Sequence, residues 1–146
     1  MYLDSAYIAK FYVNEPDAAA VRKLIARASH TCSSSWASIE VTCVFHRHMR
    51  EGSLTSLQGT ELIDLFRTHV EADLWNFLPV TDAILRTTAT LVRGLPASVP
   101  LRAGDAIHVA TALEAGEREI WTNDRHLLAA AAYFGLAGRS LAGLRS

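Results

Sequence analysis

The chain has 146 residues, half of them apolar and a fifth charged, with a formal net charge of −1. That length suits one domain spanning 1–146, the apolar half fills a sizeable core, and a disordered chain is excluded. The near-zero charge also excludes a protein that grips nucleic acid by bulk positive charge, so any such contact must come from a local patch.

Met1-Tyr2-Leu3 predicts a short strand that stops at Asp4, with Ser5 placed to cap a helix continued by Ala6, Ile8, Ala9, Phe11, Tyr12 and Val13. Pro16 suits the first turn of a second helix, whose apolar positions Ala20, Val21, Leu24, Ile25 and Ala28 recur at helical spacing. Residues 30–34 read as a serine-rich strand and 36–50 as a long helix ended by Gly52, with Ile39, Cys43, Val44 and Phe45 on its apolar side. Thr55 or Ser56 caps the next helix, whose inner face holds Leu62, Ile63, Leu65, Phe66 and Val70. A strand over 74–80, a helix over 82–93, a Gly- and Pro-rich loop over 94–100 and a helix over 103–115 stopped by Gly116 follow. Residues 119–122 predict a strand, Asn123-Asp124 cap a helix over 125–133, and a last strand falls near 138–141. Strands that alternate with helices in this way predict a parallel sheet covered on both faces.

No run approaches the ~20 apolar residues of a membrane span, and Asp4 interrupts the apolar start that a secretory signal needs. A cytoplasmic chain with no membrane partner is expected. The two cysteines, Cys32 and Cys43, match no zinc or redox spacing and read as buried free thiols.

In open α/β sheets, ligands bind beyond the carboxyl ends of the strands. Asp4 ends the first strand, and Asp124 follows the strand over 119–122. Glu40 lies one turn into the helix after the second strand, and Asp105 lies in the first turn of its own helix. All four can reach one edge of the sheet. Crowded carboxylates raise one another's pKa, and a divalent cation removes that conflict. Mg²⁺ takes hard oxygen ligands and keeps waters able to attack a phosphodiester, and a second ion ~3.5–4 Å away could steady the leaving oxygen. Singly, each acid has a plainer role: Asp4 and Asp124 as helix caps, Asp105 against a helix dipole, Glu40 as a solvated helix residue. The ordered set of four is what points to chemistry.

Through MYLDSAYIAKFYVNE, SSSWASIE, LRAGDAIHVATAL and IWTNDRHLL, in that order, nearly the whole chain resembles the PIN-domain ribonucleases, specifically the VapC-like toxins of toxin–antitoxin pairs. The resemblance implies a three-layer α/β/α sandwich with a short central parallel sheet. It implies Mg²⁺- or Mn²⁺-dependent endonucleolytic cleavage of RNA by a toxin that inhibits translation and growth. Asp4, Glu40 and Asp105 match the metal-binding acids and Asp124 the fourth, while Ser5 and Thr122 match positions where hydroxyls hydrogen-bond the acids. A homodimer is implied, and so is a cognate antitoxin whose tail fills the active-site groove. Gly104 departs from the larger apolar residue of many relatives and is expected to loosen the first helical turn; Asn123 stands where some relatives carry a further acid.

The densest basic stretch is Phe45-His46-Arg47-His48-Met49-Arg50, in which His46 and Arg50 share a face by i,i+4 spacing. It reads as a solvated helix end, with contact to an RNA backbone as the functional alternative. Arg102 and Arg125 flank the acids as candidate substrate contacts, and Arg102 could equally orient an acid. His108 reads as a packing or hydrogen-bonding residue, and Trp36 and Trp75 as core or interface anchors. An aspartyl phosphatase would need a second acid two residues beyond Asp4, where Ala6 stands. A catalytically inactive PIN-fold RNA- or protein-binding module would lack one or more of the four acids.

Overall fold

The structure, a computed structural model, describes residues 1–142; residues 143–146 of the expected domain lie outside the described residues. In chain order the elements are β1 (Tyr2–Leu3), α1 (Ser5–Tyr12), α2 (Ala18–Arg27), β2 (Ser33–Ser34), α3 (Ala37–Arg50) and α4 (Ser56–Glu71). They continue with β3 (Phe77–Leu78), α5 (Asp82–Gly94), α6 (Ala103–Glu114), β4 (Glu119–Trp121), α7 (Arg125–Ala131), a 3₁₀ turn (Ala132–Phe134) and β5 (Ala137–Arg139).

The strands are short and all parallel. β1 pairs with β4 in the register Tyr2 to Ile120, β4 pairs with β5, and β2 pairs with β3. A single bridge between Tyr2 and Cys32 joins the two pieces, with Leu3 N–H donating to Cys32 O and Cys32 N–H to Met1 O, both at 3.0 Å. The resulting order is β3-β2-β1-β4-β5. The chain steps outward from β1 to β3, then crosses over to β4 and β5, so the direction of winding reverses between β1 and β4. Such a reversal opens a crevice at the carboxyl ends of the two strands.

Alternation along β1 divides the core. Leu3 packs with Tyr7, Ile8, Val21, Val41 and Phe45 under α1, α2 and α3. Tyr2 points the other way and packs with Val109, Ala112, Ile120 and Leu127 under α6 and α7. Two helical layers on one thin parallel sheet give the three-layer α/β/α sandwich that the sequence implied.

Several local expectations are corrected. The cap of α1 is Asp4, whose carboxylate accepts from Tyr7 N–H, and Ser5 is the first helical residue. Pro16 does not open α2, which starts at Ala18 after Asp17 adopts a left-handed φ of 73°. The strand over 74–80 contracts to Phe77–Leu78, because Trp75 turns into the core and donates its indole N–H to Tyr12 Oη at 2.7 Å. Of the two thiols only Cys32 is buried; Cys43 is exposed. Other expectations hold: of the two candidate caps of α4, Thr55 is the one used, in a reciprocal box with Gln58. Among the described residues no helix is long and apolar enough to cross a membrane.

Candidate active site

Asp4 leaves β1 at the sheet's reversal point and is buried. One carboxylate oxygen accepts from Tyr7 N–H at 3.0 Å and the other from Thr122 Oγ1 at 2.5 Å. Thr122, at the end of β4, also accepts from Asp124 N–H at 3.0 Å, so one hydroxyl ties the two strand ends together. Burial pushes the Asp4 carboxyl above the usual range; the bonds from Thr122 and Tyr7 oppose that, and the nearby Glu40 charge adds to it.

Glu40 reaches the same place from the first turn of α3. Its Oε2 is 2.8 Å from Nε2 of the buried His108 on α6, and His108 Nδ1 is 2.9 Å from Tyr2 Oη. The chain of bonds is satisfied when Tyr2 donates to Nδ1 and the Nε2–H tautomer donates to Glu40. Burial alone would raise the Glu40 carboxyl; the hydrogen bond from His108, helped by those from Ser5 and Trp36, outweighs it and holds the group below its ordinary value. A Cβ on Gly104 would lie 2.6 Å from Glu40 Oε1. The glycine therefore makes room for the carboxylate against α6.

The outer pair is held differently. Asp105, in the first turn of α6, meets Arg102 Nε at 2.9 Å, and Asp124 meets Arg102 Nη2 at 2.5 Å. The other oxygen of Asp124 caps α7 by accepting from His126 N–H at 2.8 Å and Leu127 N–H at 3.1 Å. Burial works against the Asp124 anion, but these two N–H groups and the Arg102 charge carry its pKa below the usual value.

Asp4, Glu40, Asp105 and Asp124 line one open cavity of about 920 Å³. Ser5, Arg102 and Gly104 line it too, as do Trp36, Ile39, Cys43, His46, Arg47 and Arg50 from the sequence between β2 and the end of α3. The matching family model is the PIN domain, over residues 1–133. The chain belongs to the PIN domain family. No curated protein gives a match to it.

The geometry of this PIN domain also shows where local reading fell short. Arg125 is exposed at the start of α7 and lies outside the cavity lining, with its Nε directed at His126. The basic stretch read as a solvated helix end divides instead: His46, Arg47 and Arg50 face the cavity, while His48 turns away to Glu15 at 2.8 Å and Ser53 at 2.7 Å. Trp36 is a cavity wall and Trp75 a core residue. His108 both packs and hydrogen-bonds, as expected, holding the acid Glu40. Its i,i+3 spacing from Asp105, on a helix otherwise lined with apolar side chains, was the available signal.

Four carboxylates and no thiolate among them make a donor set of hard oxygens, which fits Mg²⁺ or Mn²⁺. They surround a cavity, not a point: among the described residues no three acidic, histidine or cysteine side chains stand in metal-holding geometry. The cation that stands between two of them is Arg102.

Proposed function

We propose that this PIN domain is a Mg²⁺- or Mn²⁺-dependent endoribonuclease, and the toxin of a toxin–antitoxin pair. The observation that carries the reading is the convergence of Asp4, Glu40, Asp105 and Asp124, from four separate segments, on one cavity at the sheet's reversal point. When bound there, the ion would supply charge neutralisation at a phosphodiester and a polarised water. Asp4, Glu40, Asp105 and Asp124 would hold it.

The protein's own groups divide the remaining work. Thr122 and Tyr7 N–H fix the Asp4 carboxylate, and His108 fixes Glu40. Ser5 stands in the cavity wall beside them. His46, Arg47 and Arg50 form a basic flank on which an RNA backbone can lie, leading towards the acidic end. Arg102 is a further phosphate contact at the cavity, and Arg125 one outside it. The likeness to VapC-like toxins supports a homodimer, a cognate antitoxin as partner and a cytoplasmic setting.

The test is cleavage of RNA by the full chain with Mn²⁺, with and without EDTA, for wild type and Asp4→Asn. Cleavage that needs Mn²⁺ and is lost in the variant is expected. Cleavage that survives EDTA or Asp4→Asn undiminished overturns the metal reading, and RNA binding without cleavage selects the inactive binding module. Induction of the protein alone should arrest bacterial growth; unimpaired growth with soluble expression overturns the toxin role.

A further inference from the structure

Arg102 is an anomaly by the rules of its own helix. It occupies the N-cap of α6 with extended backbone and makes no side-chain cap bond. Ser, Thr, Asp or Asn would stabilise that position, and a cation at the positive end of a helix is disfavoured. Yet its guanidinium forks across Asp105 on α6 and Asp124 after β4, with the side chain 73% exposed. A residue that gives up the usual cap for an ion pair spanning two elements points to a role at the site.

We infer that Arg102 is an internal stand-in cation: it bridges Asp105 and Asp124 when no divalent ion is bound, and it is displaced when one binds. This rests on the metal-dependent reading above. The bridge keeps two carboxylates 19 positions apart in sequence from repelling one another, with Arg102 Nε on one and Nη2 on the other. Only a planar fork can span both; a lysine ammonium offers a point charge in its place. High exposure makes such a bridge weak, because water and salt screen it. It can therefore order the acids without blocking a dication. Because the guanidinium and the ion compete for the same oxygens, Arg102 lowers the apparent metal affinity. Arg102 is thus a positioning residue that sets the ion concentration at which the site fills.

Mn²⁺ titration of the full chain, read by the electron paramagnetic resonance signal of the free ion, measures this directly for wild type, Arg102→Gln, Arg102→Lys and Asp4→Asn. Arg102→Gln should bind about 3–10-fold tighter than wild type, the ratio set by losing one exposed ion-pair competitor, with Arg102→Lys between them. A side chain that merely buttressed the site would shift affinity the other way. In parallel, the Arg102 Nε–H resonance should move on saturation with Mg²⁺. Equal or weaker Mn²⁺ binding by Arg102→Gln, or an Nε–H resonance unmoved by Mg²⁺, overturns the inference. If Mn²⁺ binding is lost in Asp4→Asn but unchanged in Arg102→Gln, this inference fails alone. If wild type and every variant bind no Mn²⁺, the metal reading fails and the inference with it.

Discussion

The inner and outer halves of the site hold the same kind of group by opposite means. Asp4 and Glu40 are fixed by partners built into the sheet and the core: a backbone N–H, the buried Thr122, and the buried His108 backed by Tyr2. Asp105 and Asp124 share one exposed arginine at the rim. Asp4 and Asp124 show the contrast in their pKa shifts. Burial carries Asp4 upward, whereas the α7 N–H groups and Arg102 hold Asp124 down. The inner half is fixed by buried partners, with Asp4 alone costly to ionise, and the outer half is cheap to rearrange. On the proposed metal-dependent reading, a site that binds and releases a cation uses both.

The largest effect is expected at the centre of the inner half. Asp4→Asn should reduce cleavage by more than the ~10–100-fold typical of outer-shell partners. It should also raise the melting temperature at pH 7. The folded state holds the Asp4 carboxyl above its unfolded value, so ionising it costs stability as pH rises from the unfolded pKa through the folded one. The asparagine escapes that cost, and its advantage should vanish in acid. A variant less stable than wild type at pH 7 breaks the comparison.

His108→Ala comes next, with about 10–100-fold lower cleavage because Glu40 loses its partner. Removing His108 also takes the acceptor from the buried Tyr2 hydroxyl, for about 1–3 kcal/mol in denaturant unfolding. Adding Tyr2→Phe should recover part of the stability and none of the activity. Gly104→Ala separates the two quantities further. Its Cβ displaces the Glu40 carboxylate and should cut cleavage about tenfold, by analogy with an outer-shell change. The helix itself gains as much as ~1 kcal/mol. Unchanged cleavage would show that the placement of Glu40 against α6 does not matter.

In the outer half, Asp124→Asn and Asp124→Ala should lose cleavage equally, while unfolding separates them. Asparagine still caps α7, and alanine forfeits ~1 kcal/mol. The smallest effect is chemical. Iodoacetamide at pH 8 should label the exposed Cys43 in the cavity wall first. Burial pushes the Cys32 thiol up to about 12, so it should react far more slowly; equal rates would contradict its placement in the core.

The sequence by itself determined what is local. Apolar spacing, the positive-φ stops at Gly52 and Gly116, and the alternation of strand and helix each involve residues within a turn or two, and they located most of the elements. The order of acids after strand ends carried the candidate site. Where local rules competed, they left the outcome open or misled: both Asp4 and Ser5 were candidate caps and Asp4 took the role, while Trp75 left its strand for the core. Only the tertiary structure decided the pairings. His108 finds Glu40 across 68 residues, Thr122 finds Asp4 across 118, and Arg102 reaches Asp124 across 22. Such contacts follow from which elements the parallel crossovers bring side by side, and no periodicity in the chain encodes that. The same crossovers turned one half of a basic helix end toward the acids and the other half away.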